Sequence, residues 1–390
     1  MPNPPSYPGV YVQTLPSGAP AITGVSTAIA GFVGALSRGP VNTPVPCFTF
    51  ADFEKTFGGL DRTSPTSFQV NQFFLNGGTQ AWVSRLAPGA PLTGPAIIGD
   101  AQAQTGLHAL DAAPVADLLM LPDLPALAPN DYRIAAAGLL AYAQARRAFA
   151  LIDLPAAVTT PAAAAAWARS VPPRLGPGII NAAAYFPNIV VIDPASPAPM
   201  ALGPSGTMAG LYALTDQTRG VWKAPAGVTA TLAGVDRLAY AMTDTENAAL
   251  TRLGINALRN FAGYGNVAWG ARTLAAASGD WAYLSVRRLA LYIEQSLTQS
   301  LQWAVFQPND ARLWAQIRAS VGGFLQPLFL QGAFVGQTPS QAYRCICDAS
   351  TTTPADQANG VVNIVISFAP MRPAEFVVIT LQQRAGLPSS

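Results

Sequence analysis

Apolar positions in the C-terminal third of the chain recur twice at helical spacing. Val286, Leu289, Ala290, Ile293, Leu297 and Leu301 share one helix face, with Arg287, Arg288, Glu294, Gln295, Thr298 and Gln299 off it. Leu313, Ile317, Val321, Phe324 and Leu328 mark a second helix, and Pro308-Asn309-Asp310 ahead of them supplies a start signal. The period then falls to two: residues 342–347 and 361–369 are rich in β-branched side chains and predict strands around a polar turn at 348–360. Nearer the N-terminus, residues 22–34 and 81–87 predict core strands. Between them lie two short helices, at 51–57 and 66–75, closed by Gly58-Gly59 and Gly77-Gly78, with Phe68, Phe73, Phe74 and Trp82 as aromatic bulk.

From residue 88 to about 210 alanine dominates, prolines punctuate, and the pattern alternates. Strands at 115–121, 149–154 and 189–192 flank helices at 131–147 and 161–170. A βαβαβ order of this kind predicts a small parallel sheet. The chain as a whole predicts an α+β protein. A discontinuous core domain, 21–90 with 220–372, carries a mixed sheet and amphipathic helices, and a small α/β domain is inserted at 91–219. Extended β-arms occupy 1–20 and 373–390.

Both arms raise the question of what they pair with. The first holds six prolines in twenty residues around one short strand pattern, Gly9, Val10, Tyr11, Val12 and Gln13. The second, Glu375, Phe376, Val377, Val378, Ile379, Thr380 and Leu381 running on to Gln383, is a strong strand set off by Pro370 and Pro373. A strand at a chain end has no local partner, so it pairs either across its own subunit or with another molecule.

Composition sharpens that question. Half of the 390 residues are hydrophobic and only 11% are charged, against about 25% in an ordinary soluble domain. A surface so poor in charge fits burial in an assembly, and equally an alanine-rich composition from a GC-rich genome. Lysine is nearly absent, with Lys55 and Lys223 alone against many arginines, and the net charge of +2 comes with no basic stripe. No nucleic-acid partner is expected. Cys47, Cys345 and Cys347 make neither a disulfide framework nor a zinc set beside the single His108. The spacing of Cys345 and Cys347 fits a buried pair on one strand face better than a redox pair, and it fits synthesis in a reducing compartment. The first twenty residues lack the basic start of a signal peptide, and residues 19–36, with three glycines and several hydroxyls, make a poor membrane span.

One constellation suggests chemistry. Asp123, Asp153 and Asp193 each follow the end of a predicted parallel strand, the edge where open α/β sheets bind ligands, and three carboxylates there could hold a divalent metal. This is the alternative reading: a soluble α/β metal-dependent enzyme. Against it stand the lack of a nucleophile elbow, of an HExxH motif and of a partner histidine, and Asp after a strand is also an ordinary turn residue. Gly203-Pro-Ser-Gly206 lacks the Gly-Lys-Ser/Thr ending of a phosphate loop. Asp244 and Glu246 look like an acid/base pair but also like a capped helix start, the preferred reading. No cofactor, no metal and no catalytic residue is expected.

Several strings, in order, resemble the contractile tail sheath proteins of phages, tailocins and contractile injection systems. At the C-terminal end they are Leu253-Gly-Ile-Asn-Ala-Leu-Arg-Asn-Phe261, Val267-Ala-Trp-Gly-Ala-Arg-Thr-Leu274, Trp303-Ala-Val-Phe-Gln-Pro-Asn-Asp310, Gln331-Gly-Ala-Phe334 and Phe368-Ala-Pro-Met-Arg-Pro-Ala-Glu-Phe376. Tyr7-Pro-Gly-Val-Tyr-Val12, Ile22-Thr-Gly-Val-Ser-Thr27, Gly39-Pro-Val-Asn42 and Phe73-Phe-Leu-Asn-Gly-Gly78 agree at the other end. The resemblance implies a structural subunit, not an enzyme, that polymerises helically as stacked hexameric rings around an inner tube. It implies that contraction drives the tube through a target envelope, with baseplate and terminator or cap proteins as further partners and no direct membrane insertion. It implies terminal arms that cross to other copies and complete their sheets, an inserted domain on the outside, and a helix facing the tube, here through Arg312, Gln316 and Arg318. Assembly is then expected in the cytoplasm of the producing bacterium, within a tail or tail-like particle that is extracellular after release.

Overall fold

The computed structural model describes residues 19–89, 91–275 and 279–375. Within them the chain forms two compact units: Ser26–Leu291 with the segment from Met371, and Tyr292–Pro370 with the end of Met1–Val25.

The larger unit is built on one mixed sheet. Its strands are β1 (Ala30–Gly34), β2 (Val45–Cys47), β3 (Ala81–Arg85), β4 (Leu118–Met120), β5 (Phe149–Ile152) and β6 (Ala182–Phe186). A separate antiparallel group follows, β7 (Ile189–Asp193), β8 (Ser196–Leu202) and β9 (Arg237–Leu238), before β10 (Ile255–Phe261) and β11 (Gly265–Ala268). The main sheet runs in the order β11-β10-β6-β5-β4-β1-β3-β2. The six central strands are parallel, and the antiparallel β2 and β11 close the two edges. Parallel strands are covered on both faces and so read as unbroken apolar runs. Leu118, Leu119 and Met120, and Phe149 to Ile152, are indeed buried throughout.

Period-two alternation sorts those strands onto two cores. Leu119, Ala150, Ile152, Ala182 and Ala184 face one side, where α3 (Gly94–Ile98), α4 (Pro129–Arg146) and α5 (Pro161–Ser170) supply Ile97, Tyr132, Leu139 and Ala164. Leu118, Met120, Phe149, Leu151 and Tyr185 face the other. There α1 (Phe50–Phe57), α2 (Pro65–Leu75) and α6 (Ser205–Arg219) add Phe53, Phe57, Phe73 and Tyr212. Two further helices are α7 (Asp244–Thr251) and α8 (Leu284–Ser300), the second of which contains the unit boundary.

Three expectations are corrected here. The third parallel strand is not at 189–192 but is β6, whose Ala-Ala-Ala-Tyr-Phe run has weak β-propensity and is a strand because both its neighbours are. Residues 91–219 do not form a sheet of their own: β1 pairs with β4, and β6 with β10. Boundaries at 91 and 219 therefore fall inside one sheet. The stretch 22–34 is a strand only from Ala30; before it the backbone bonds to side chains, Val25 N–H to Ser296 Oγ at 3.1 Å in one unit and Ile29 N–H to Asp117 Oδ2 at 3.1 Å in the other.

The smaller unit packs helix on hairpin. Helix α9 (Ala311–Leu330) begins at Asp310, whose side chain accepts from Leu313 N–H at 2.9 Å, and it buries Leu313, Ile317, Val321, Phe324 and Leu328, the predicted face. After α10 (Pro339–Ala342), β12 (Tyr343–Ile346) pairs antiparallel with β13 (Val365–Phe368), and the connection holds α11 (Pro354–Ala358). Phe334 fixes the pair with ring contacts to Tyr343 and Phe368, at 5.9 and 5.7 Å.

Candidate functional site

The three aspartates expected at one sheet edge do not form one site. Asp193 ends β7 in the separate group and accepts from Ala195 N–H at 2.9 Å, a turn contact. Asp153 follows β5 and is fully engaged: Gln69 Nε2 donates at 2.6 Å, Ser205 N–H at 2.9 Å and Ser205 Oγ at 2.7 Å. Ser205 opens α6, so the anion seat at that helix N-terminus is filled by the protein's own carboxylate. Gly203 permits the approach, since a Cβ there would lie 2.3 Å from the Asp153 carboxyl carbon. Asp123, after β4, accepts from Ala35 N–H at 2.6 Å and Thr66 Oγ1 at 3.4 Å. Among the described residues no three His, Cys, Asp or Glu side chains come together as a metal set. Asp244 and Glu246 open α7 as a capping box, with Thr243 N–H donating to Glu246 Oε2 at 2.8 Å and Glu246 N–H to Thr243 Oγ1 at 3.3 Å. His108 lies 3.2 Å from Asp111, which also accepts from Tyr142 at 2.9 Å.

These buried carboxylates do have a measurable consequence. Burial pushes Asp123 and Asp153 up to about 6 and Asp117 up to about 7, each against the hydrogen bonds it accepts. From the usual carboxylate range near pH 4 up to those values, the folded chain keeps protons that the unfolded chain has released. Stability therefore falls as pH rises through that window. The midpoint of thermal unfolding is expected to be higher at pH 5 than at pH 7.5 by scanning calorimetry, and Asp117→Asn should flatten the difference. A profile rising from pH 5 to 7.5 would contradict the assignment.

The predicted assembly residues are distributed as follows. Gly9, Val10, Tyr11, Val12 and Gln13, and Phe376, Val377, Val378, Ile379, Thr380 and Leu381, lie outside the described residues. Glu375, expected to open the C-terminal arm, is held inside its own subunit. Arg272 grips its carboxylate with two bonds, 2.9 and 2.5 Å, and Tyr283 adds a third at 3.3 Å. A bidentate, half-buried pair of this kind fixes a residue in place, so any free arm begins beyond it. On α9, Arg312 is exposed and Gln316 half-buried, whereas Arg318 is half-buried and donates to the Cys347 carbonyl. The remaining exposed positions of that helix, Ala311, Ala315, Ala319, Gly323, Pro327 and Leu330, carry no charge. Cys347 is buried and Cys345 half-buried, and both thiols are free.

What the smaller unit does offer is an incomplete sheet. Among the described residues β12 and β13 are bonded in a sheet only to each other. A two-stranded sheet leaves a row of backbone donors and acceptors unpaired along each outer edge.

Residues 276–384, which include both strands, match the phage tail sheath C-terminal domain. The helical sheath of the anti-feeding prophage in its contracted state is 27% identical and superposes with a TM-score of 0.76, over 97% of this chain and 100% of that one. The chain is similar to contractile sheath proteins over nearly its whole length. A second sheath, from the contracted PVC extracellular contractile injection system, is 26% identical with a TM-score of 0.75, over 97% of this chain and 98% of that one. The tail sheath protein of Vibrio phage KVP40 is 27% identical over 179 residues, 45% of this chain but 25% of the phage protein. The chain thus aligns to about a quarter of that relative's length, while it spans the injection-system sheaths almost completely.

Nothing local in the sequence signals the buried Arg288–Asp216 pair or the exposure of Phe306. Arg288 sits on the polar side of a predicted amphipathic helix, and Phe306 in a string where aromatics are ordinarily core.

Proposed function

We propose that this protein is the structural subunit of a contractile sheath, polymerising helically as stacked hexameric rings around an inner tube and contracting to drive that tube through a target envelope. The observation that carries the reading is the sheet β12–β13, whose strands bond in a sheet only to each other among the described residues, in a chain whose two ends are strand patterns. A terminal strand of one copy adds to such an edge by β-augmentation, with main-chain hydrogen bonds supplying affinity and alternate side chains specificity. Each subunit then gives strands and receives them. A heterologous contact of this kind does not close on itself, and so it generates a helical lattice. The work of contraction comes from two packings of the same subunits, with the paired strands passing the change from ring to ring.

Arg312 and Gln316 are the proposed tube-facing residues, on a surface otherwise made of small and apolar side chains. The bonded guanidinium of Arg318 makes it a weaker candidate. Baseplate and terminator proteins are the further proposed partners, and assembly is proposed to take place in the producing cell. The low charge of the chain supports burial in a lattice. Negative-stain microscopy of the purified full-length chain tests the reading: wide cylinders are expected, and monodisperse compact particles at every concentration would overturn it.

A further inference from the structure

The last described residues of the chain run along the wall of a groove. Pro373, Ala374 and Glu375 line a cavity of about 480 Å³ within the larger unit, shared with α7 and the segment that follows β11. Its other walls are mostly small and apolar: Ala224, Ala226, Ala248, Gly270 and Ala271, together with the exposed Trp269, whose ring lies 4.6 Å from that of Phe261.

Glu375 is fixed to this wall. Arg272 holds its carboxylate at two points and Tyr283 at a third. Arg272 is fastened in turn through its backbone: its N–H donates to Asn256 Oδ1 at 2.7 Å, and its carbonyl accepts from Asn256 Nδ2 at 2.8 Å. Asn256 is buried in β10, so the clamp ties the end of the described chain to the main sheet.

After Glu375 the sequence reads Phe376-Val-Val-Ile-Thr-Leu381, five apolar residues of six with no charge, proline or glycine. A segment of that composition is an aggregation hazard when it stands in water. Every subunit has to pass through water before it is built into an assembly. Where the described chain stops selects what covers the groove. Consecutive Cα atoms are about 3.8 Å apart, so Phe376 starts at the edge of the groove whatever the course of the residues beyond it. A segment tethered this closely has an effective concentration on the order of millimolar, which a second copy in dilute solution does not match. The other end of the described chain, Ala19, belongs to the smaller unit.

We propose that in the unassembled subunit residues 376–381 of the same chain lie in this groove against Trp269, covered there until assembly draws them out. Withdrawal on assembly rests on the strand-addition reading above; occupancy before assembly does not.

The test uses the full-length chain held below its assembly concentration, with a photoreactive phenylalanine analogue in place of Trp269. Cross-links to residues 376–381 are expected in a product of single-subunit mass. Cross-links only to other segments, or products of dimer mass, overturn the assignment. A second measurement uses Ala248→Trp, an exposed position of α7 that lines the groove and lies outside the capping box of that helix. Filling the groove should leave thermal unfolding unchanged and speed chymotryptic cleavage after Phe376 and Leu381 roughly fivefold or more, because cleavage follows the population of the uncovered segment. Glu375→Gln, which keeps the shape of the clamp and removes its charge, should speed cleavage by less. Equal rates in wild type and Ala248→Trp overturn the proposal. Truncation after Glu375 separates the two levels. If it abolishes cylinders while Ala248→Trp is cleaved at the wild-type rate, the groove assignment fails alone. If truncated chains form normal cylinders, strand addition from that end fails, and the cross-link in the single subunit decides the groove by itself.

Discussion

Removing residues 1–13, or residues 376–390, is expected to abolish cylinder formation while leaving a folded subunit. Among the described residues the buried hydrophobic side chains run from Ala30 to Cys347. On the proposed reading, each deletion takes away a strand for a neighbour's open edge. A single added hydrogen bond contributes only about 0.5–1.5 kcal/mol net, but bonds along a strand act together, and every subunit of a lattice repeats the loss. Deleting from 376 rather than from 375 matters, because Glu375 belongs to the Arg272 clamp in its own unit. Electron microscopy and sedimentation of the two truncations are the measurement. Intact cylinders from both would leave the proposed mechanism without its linkage between rings.

Replacing Arg288 with methionine is expected to cost about 3–5 kcal/mol of folding stability. The guanidinium and the Asp216 carboxylate are both almost completely buried, and they meet in a two-point contact at 2.9 and 2.6 Å. The same guanidinium donates to the Thr27 carbonyl at 2.9 Å, Thr27 Oγ1 donates to Asp216 at 2.6 Å, and Tyr212 lies face-on at 4.8 Å. Arg288→Met leaves Asp216 buried without a counter-charge, which is where most of the cost arises; the intact pair by itself contributes far less. The double variant Arg288→Met with Asp216→Leu should therefore recover most of the stability. Arg288→Lys should fall between, because an ammonium cannot make the planar fork. Denaturant unfolding of the unassembled chain measures all three, and a loss below about 1 kcal/mol for Arg288→Met would show that the pair is not isolated from water as it stands. Thr27 lies on the path from the N-terminus into β1, so the pair also fixes where that path enters the sheet.

The legible parts of this protein were those whose burial follows from near neighbours in the chain. The α9 face from Leu313 to Leu328 and its Asp310 cap were readable because a helix repeats within four residues. The capping box of Thr243 and Glu246 is local in the same way. The strands at β12 and β13, where the period was two, and at β4 and β5, where the apolar run was unbroken, were placed within a few residues. The ordered strings at both ends carried the resemblance to sheath proteins, and the comparisons find the same similarity.

Other features depended on partners far away in the chain. Strand β6 has the composition of a loop or helix, and only β5 and β10 on either side make it a strand. Asp193 follows an apolar run as convincingly as Asp153 does, yet its strand joins the antiparallel group, and so the predicted carboxylate edge was never assembled. A salt bridge between positions 72 residues apart leaves no local periodicity to read, and neither does an aromatic ring held out into solvent. Local pattern thus decided which segments are helix or strand and which side chains they bury. The tertiary structure decided which strands share a sheet, which charges are sequestered and which apolar surface is left for another molecule, because those depend on the free energy of contacts that close only when the whole chain has folded.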